Sequence, residues 1–190
     1  MRETFVIMAG GTGGHVFPGL ALADELRTAG HHVAWLGTEA GIESRLVPKA
    51  GYDLYFLPVS GVRGKGVLAL LKAPFMIAKA LISAFVTLRK LQPAVVVGFG
   101  GFAAGPGAIA AKLQGKPLLL HEQNSVLGTT NSILQHLADR RLEGFPDTFK
   151  KRKGTFFTGN PVRQDIVALL KTPPSNAAPA KELSSCRILI

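Results

Sequence analysis

The sequence has very little cysteine and few aromatic residues. A single cysteine among 190 residues, Cys186, excludes an internal disulfide framework and cysteine-based zinc sites. Aromatic side chains make up only 7% of the chain and no nucleic-acid-binding motif is present, so DNA and RNA are disfavoured as partners. The chain also lacks Asp-x-Asp and Gly-x-Ser-x-Gly. These absences disfavour metal-dependent nucleotide-sugar chemistry and a serine nucleophile.

The remaining composition is apolar and basic. Hydrophobic residues make up 47% and charged residues 18%, which is enough apolar material for one globular core. The 22 lysines and arginines outnumber the 12 acidic residues, which gives a net charge of +10. A basic surface favours an anionic partner, such as an anionic lipid surface or a phosphorylated substrate.

Short apolar runs alternate with helical patterns along most of the chain. The predicted strands begin near residues 5, 33, 54, 95, 118, 141 and 155, and a helical pattern follows all of them except the sixth. Because the strands are apolar on both faces, we predict an α/β fold with a Rossmann-like parallel sheet and helices on both faces. Residues 1–171 form this domain. Residues 172–185 read as a linker, and residues 186–190 as the start of a truncated second domain.

Two glycine-rich turns follow predicted strands. The first reads Ala9-Gly-Gly-Thr-Gly-Gly-His15 and the second Gly98-Phe-Gly-Gly-Phe102. Glycine lets the backbone approach a ligand closely and a helix N-terminus attracts anions, so the first turn predicts an anion or phosphate site. The second turn would either line the same crevice at the carboxyl ends of the strands, where a polar, bulky ligand fits, or only allow tight local backbone packing. The dinucleotide and Walker A fingerprints both fail here. His15 at the helix start is either a general base or a capping and packing residue.

Two polar segments follow later strands. His121-Glu-Gln-Asn124 comes after the fifth strand, and because no second ligand cluster gives a metal spacing, we expect these side chains to bind hydroxyls or orient loops. In the second segment, Asn160 and Pro161 predict a helix start. Arg163 would then lie in the first turn, against the helix dipole, which suggests a ligand role.

A basic amphipathic stretch follows the motif Gly61-Val-Arg-Gly-Lys-Gly66. Its predicted helix, residues 67–91, is interrupted by charges and by Pro74, so it makes a poor membrane-spanning segment and is expected to kink or break. It can instead lie on an anionic membrane surface, or it is an ordinary sheet-covering helix. On the membrane hypothesis, the contacting residues are Leu71, Lys72, Phe75, Lys79 and Ile82.

Taken in order, these motifs resemble the MurG family of GT-B glycosyltransferases. The resemblance runs from residue 5 to about residue 170, and its ordered set is far more specific than any single motif. It rests on both glycine turns, Gly61–Gly66, His121–Asn124, Thr130-Asn131 and Gly159-Asn-Pro-Val-Arg163.

The resemblance implies an inverting enzyme of peptidoglycan biosynthesis. Such enzymes transfer N-acetylglucosamine from UDP-GlcNAc to lipid I, without a metal or cofactor, as peripheral proteins on the cytoplasmic face of the bacterial inner membrane. This chain would be the acceptor-side half, inactive without the C-terminal donor-binding half. The alternatives are half of another GT-B glycolipid glycosyltransferase, or a non-catalytic basic membrane-binding module.

The resemblance also assigns roles to individual residues. His15 corresponds to the proposed base for the acceptor hydroxyl. Phe102 stands where the family often has tyrosine. Phenylalanine can still stack on a ligand or pack against the protein, but it has no hydroxyl group to form a hydrogen bond. The residues implied to bind the donor or its diphosphate are Thr12, Gly13, Gly14, Asn124 and Arg163, and those implied to bind the acceptor are Gly100, Gly101, Phe102, His121, Glu122 and Gln123.

Overall fold

The computed structural model of the chain describes residues 1–59 and 66–171, without the side chains of residues 66–72 and 169–171. The predicted linker and second-domain start therefore lie outside the described residues, as do positions 61–65 of the Gly61–Gly66 motif. Within the described part, the strands are β1 (Thr4–Ala9), β2 (His32–Gly37), β3 (Asp53–Phe56), β4 (Val95–Gly100), β5 (Leu118–Glu122), β6 (Arg140–Glu143) and β7 (Thr155–Phe157). The helices are α1 (Gly13–Thr28), α2 (Glu43–Lys49), α3 (Gly66–Leu91), α4 (Ala104–Leu113), α5 (Thr129–Leu134) and α6 (Gln164–Lys171).

The seven described strands form one sheet in the order β3-β2-β1-β4-β5-β6-β7, and every pair is parallel. The predicted Rossmann-like parallel sheet is confirmed. The chain order reverses direction between β1 and β4, which makes this junction the topological switch point. Ligands of open α/β sheets bind outside the carboxyl ends of the strands at that point.

The core lies on both faces of the sheet. Successive β1 residues alternate between the two sides: Val6 and Met8 pack with α3 and α4, whereas Ile7 and Ala9 pack with α1 and α2. All four of these side chains are fully buried. This double burial explains why the strands carry continuous apolar runs instead of an alternating pattern.

Helix α3 runs without interruption from Gly66 to Leu91, so Pro74 does not break it. A proline inside a helix removes one backbone hydrogen bond. The helix continues far beyond that position, and its downstream half is anchored to the core by buried residues at four-residue spacing, Ala80, Ala84 and Leu88. This packing outweighs the single lost hydrogen bond.

The predicted start of the last helix is wrong. Asn160 does not cap it, because its side-chain amide donates to the carbonyl of Gln123 at 3.1 Å. Helix α6 begins at Gln164, and the carbonyl of Arg163 accepts the amides of Ile166 and Val167. Arg163 therefore precedes the first turn. Its positive charge does not lie inside that turn against the helix dipole, so the helix position gives no reason to expect a ligand role for it.

Candidate active site

The two glycine turns meet at the switch point between β1 and β4. Ala9 is in register with Gly100, at the carboxyl ends of the two strands. Gly101 lies so close to the first turn that an added Cβ would be 2.5 Å from the carbonyl oxygen of Gly10. The φ angle of Gly101, +87°, also favours glycine. The second turn therefore needs glycine in order to touch the first.

A cavity of about 250 Å³ opens between these turns and the start of α5. Six of the residues predicted for the site line it, together with neighbours from the first glycine turn and from the start of α5. The lining residues are Gly10, Gly11, Thr12, His15, Gly100, Gly101, Phe102, Glu122, Gly128, Thr129, Thr130 and Asn131.

The N-terminus of α1, which begins directly after the cavity-lining Thr12, has unpaired backbone amides. Helix α1 begins at Gly13, and the Thr12 side chain does not cap it. Among the described residues, the amides of Thr12, Gly13 and Gly14 have no hydrogen-bond acceptor, whereas those of His15 and Val16 donate to the Thr12 carbonyl. Free amides at the positive end of a helix dipole are a suitable site for phosphate oxygens.

His15 is held between Thr12 and Gly100. Its Nδ1 atom is 3.1 Å from the Thr12 hydroxyl oxygen. The opposite edge of the ring faces Gly100, where an added Cβ would come within 3.0 Å of Nε2. If the Nδ1–H group donates to Thr12, the lone pair of Nε2 is available to accept a proton. The geometry therefore suits a general base.

The carboxylate of Glu122 is fully buried beneath the cavity and organises the loop after β5. Its Oε1 atom accepts the backbone and side-chain amides of Asn124 at 3.1 and 2.9 Å. Its Oε2 atom accepts the Gly128 amide and the Asn131 side-chain amide, both at 3.0 Å. Glu122 thus shapes the wall of the cavity. Direct contact with an acceptor stays a prediction.

His121 and Gln123 are buried outside the cavity lining and connect β5 to the segment after β7. The Nε2 atom of His121 lies 3.0 Å from the Gly159 carbonyl oxygen, so it carries the hydrogen and donates it. The Nδ1 atom then accepts from the Gln123 side chain at 3.1 Å. Burial lowers the pKa of His121, against the opposing effects of the Gly159 carbonyl and the Glu122 carboxylate.

We expect His121 to make the fold sensitive to acid. Because the folded chain holds His121 neutral, the unfolded chain binds an extra proton below about pH 6.5. The free energy of unfolding should therefore fall as pH drops below that value, by at most about 1.4 kcal/mol per pH unit for one proton. Urea unfolding at several pH values between about 7.5 and 5.5 measures this slope.

His121→Gln is the matched variant, since its amide can still donate to Gly159 but does not titrate. The stability difference between the original chain and this variant should shrink towards acid pH. A difference that stays constant over the same range would show that another group causes the acid sensitivity.

Asn124 and Arg163 lie outside the cavity lining. The Asn124 side-chain amide is engaged with Glu122. The Arg163 guanidinium lies 5.0 Å from the ring centroid of Phe17, on α1, and its Nε is 3.4 Å from the Asp165 carboxylate. Gly13 and Gly14 do not line the cavity either. The donor-binding roles of these four residues stay predictions.

Sequence reasoning missed Glu43, a fully buried carboxylate beneath the first glycine turn. It accepts the Gly11 amide at 2.9 Å, and the Thr38 amide and hydroxyl at 2.9 and 2.7 Å. The only signal in the sequence was a glutamate at the start of a helical pattern, a common surface position. Thr130 and Asn131 belong to the ordered motif set but have no predicted role in the site, and both line the cavity.

Helix α3 carries a large apolar surface with cations among its residues. Phe75, Ile82 and Val86 are 81%, 65% and 60% exposed, and their spacing places them with Lys79 on the face opposite the buried stripe. Arg89 and Lys90 are exposed at the end of the helix. The side chains of Leu71 and Lys72 lie outside the described residues. Over the part of the chain that is described, no helix is long and apolar enough to cross a membrane.

Comparisons with known proteins identify close relatives of this chain. The model of the glycosyltransferase family 28 N-terminal domain matches residues 5–142. A protein of Ectopseudomonas mendocina named UDP-N-acetylglucosamine–N-acetylmuramyl-(pentapeptide) pyrophosphoryl-undecaprenol N-acetylglucosamine transferase is 53% identical over 173 residues, covering 91% of this chain and 48% of the relative. A protein of Nitrosococcus oceani with the same name is 52% identical, covering 89% and 47%. The chain thus spans about half the length of the curated relatives that it matches.

Solved structures agree with this relationship. The crystal structure of Acinetobacter baumannii MurG superposes with a TM-score of 0.75 at 45% identity, covering 84% of this chain and 46% of that one. The structure of a UDP-N-acetylglucosamine 2-epimerase homologue from Listeria monocytogenes shares the fold, with a TM-score of 0.63 at 13% identity.

Proposed function

The chain belongs to glycosyltransferase family 28, whose N-terminal domain it contains, and from this premise we propose that it is the acceptor-side half of an inverting N-acetylglucosamine transferase. The proposed donor is UDP-GlcNAc, and the proposed acceptor is the lipid-linked N-acetylmuramyl-pentapeptide diphosphate that the relatives' name describes. One observation carries the proposal: His15 and Thr12 line the same cavity at the switch point, and Thr12 directly precedes α1, at the helix N-terminus with the free amides.

His15 is proposed to act as the general base. Its Nε2 atom accepts the proton of the acceptor's sugar hydroxyl, while Thr12 accepts a hydrogen bond from Nδ1–H and holds the ring in place. The hydroxyl oxygen then forms a bond to the anomeric carbon of the donor sugar. The bond from that carbon to the diphosphate breaks, UDP leaves with the electron pair, and the configuration at the carbon inverts.

The amides of Thr12, Gly13 and Gly14 are proposed to bind diphosphate oxygens. Their position at the N-terminus of α1 favours negative charge, and no other group in the described part of the chain accepts hydrogen bonds from them. Because the acceptor and the donor both contain a diphosphate, the site suits a reaction in which these groups approach the same crevice.

A second lobe is proposed to complete the cleft. The cavity of about 250 Å³ is smaller than the roughly 300–1,000 Å³ of complete small-molecule sites. The relatives are about twice as long as the matched region, which leaves room for a donor-binding domain in their remaining length. Closure of two lobes over the site would exclude water and limit hydrolysis of the donor.

The exposed face of α3 is proposed to rest on an anionic membrane. As the crossover between β3 and β4, α3 starts at the carboxyl edge of the sheet, and Met76 lines a cavity there with residues that follow β2 and β3. Phe75, the neighbour of Met76 in α3, therefore lies near the same edge of the sheet as His15. A lipid-linked acceptor could remain in the membrane while its sugar reaches the cavity.

Separate binding measurements on this 190-residue chain test the division of roles. In detergent micelles, we expect the lipid-linked acceptor to bind clearly and UDP-GlcNAc to bind weakly. Tight UDP-GlcNAc binding without acceptor binding would reverse the assignment, and binding of neither would contradict the acceptor-side proposal.

A further inference from the structure

The buried carboxylate of Glu43 lies where the ends of β1 and β2 meet the start of α2. Three glycines from three separate segments surround it, and a Cβ added to any of them would collide with its side chain. The closest approaches would be 2.4 Å at Gly10, 2.7 Å at Gly37 and 2.0 Å at Gly41. The backbone therefore has to lack side chains at these three positions for the carboxylate to fit.

The hydrogen bonds of this carboxylate divide between two loops. Oε1 accepts both the amide and the hydroxyl of Thr38, at the end of β2. Oε2 accepts the Gly11 amide at 2.9 Å. Gly11 has a φ angle of +87°, a conformation open to few residues other than glycine, and it directly precedes Thr12. Glu43 thus holds the backbone amide of the residue that directly precedes Thr12 and the unpaired amides.

From this geometry we propose that Glu43 is a positioning residue for the diphosphate site. The inference rests on the proposed function, because it assumes that the amides of Thr12–Gly14 bind a diphosphate. The carboxylate accepts the Gly11 amide and so fixes the backbone from which the three unpaired amides of Thr12, Gly13 and Gly14 follow. A hydrogen bond to an ionised acceptor is stronger than a neutral one, which suits the task of holding a glycine loop in place.

Electrostatics and positioning predict opposite effects of Glu43→Gln on anion binding. The substitution removes a negative charge near the phosphate site, which by itself would strengthen the binding of an anion. It also places an amide NH₂ group in the carboxylate position. If the remaining oxygen accepts from Thr38, the new NH₂ group faces the Gly11 N–H, and two donors cannot bond to each other. The glycine turn would then lose its anchor.

The test adds inorganic pyrophosphate to the 190-residue chain. Binding is measured from the changes that it causes in the backbone amide NMR signals of residues 11–14. We expect Glu43→Gln to weaken pyrophosphate binding about tenfold, as for the loss of one hydrogen bond to a charged group. The Gly11 amide should also exchange with solvent at least about tenfold faster, since its acceptor is lost. Binding that is unchanged or tighter in the variant would overturn the proposal.

Thr38→Val is the matched control, because it removes one hydrogen bond from the same carboxylate and leaves the bond to Gly11 in place. It should lower stability while keeping pyrophosphate affinity and Gly11 exchange close to those of the original chain. An equal loss of affinity in both variants would show that Glu43 acts only through general stability, and would overturn the proposal. If the original chain does not bind pyrophosphate at all, the proposed diphosphate site is wrong. The exchange rates of the Gly11 amide in the original chain and in Glu43→Gln then decide whether Glu43 anchors the turn.

Discussion

Replacing His15 by glutamine is expected to lower kcat by about 10²–10⁴-fold, the usual contribution of a general base. The measurement uses the proposed two-domain enzyme, with this chain as its N-terminal half. Glutamine can still form a hydrogen bond with Thr12, but it cannot accept a proton at neutral pH. The acceptor KM should change much less than kcat, because the diphosphate contacts come from backbone amides. Steady-state kinetics with a soluble acceptor analogue measure both constants.

His136→Gln provides the control for this substitution. His136 is an exposed histidine outside the cavity, so the same change there should leave kcat and KM unaltered. If His15→Gln retains the original kcat, then His15 is not the base, and its contact with Thr12 serves only to shape the turn. A rise in KM with constant kcat would instead assign His15 to acceptor binding.

The strands and the glycine turns were predictable because their physical signals are local. Strands buried on both faces require continuous apolar runs, and this pattern is visible in the sequence around residues 5, 95 and 118. A glycine run directly after such a strand places a bare backbone turn at the carboxyl edge of the sheet. His15 belongs to that turn, so its place in the cavity also followed.

The hydrogen-bond partners of the polar side chains were not predictable in the same way. Glu43 reads as a surface residue of a short helix, and only the fold shows that Gly10, Gly37 and Gly41 converge around it. His121 and Gln123 look like ligand-binding residues because they end a strand, but their partners are Gly159 and each other. The contacts of Glu43 with Gly10 and of His121 with Gly159 join residues far apart in sequence, and no local pattern records them.

The start of α6 shows how a tertiary contact overrides a local preference. Asn160 followed by proline favours a helix N-terminus. The Asn160 side chain instead donates to Gln123, so it is not available to cap a helix. The helix begins only after Arg163, whose guanidinium lies over Phe17. The same segment therefore connects the end of the sheet to α1, next to the cavity.

Disrupting the exposed face of α3 is expected to abolish membrane binding. The triple variant Phe75→Ser, Lys79→Glu and Ile82→Ser removes two large exposed apolar side chains and reverses one charge. Each positive charge near an anionic surface contributes about 1 kcal/mol, so the charge reversal alone should weaken binding by roughly 30-fold at low salt. Because the apolar losses add to this, we expect a total decrease of at least about 100-fold. Sedimentation with vesicles that contain an anionic phospholipid measures the partition coefficient.

The control has to separate this face from exposed apolar residues in general. Ile109→Ser, Leu113→Ser and Lys153→Glu likewise remove two exposed apolar side chains and reverse one lysine outside α3, and these changes should leave vesicle binding nearly intact. Binding of the original chain should also weaken with added salt and with zwitterionic vesicles, since its cations act through a screened field. Equal binding by both triple variants would make α3 an ordinary sheet-covering helix. The acceptor would then have to reach His15 by leaving the membrane surface, which would require a separate binding site for its lipid chain.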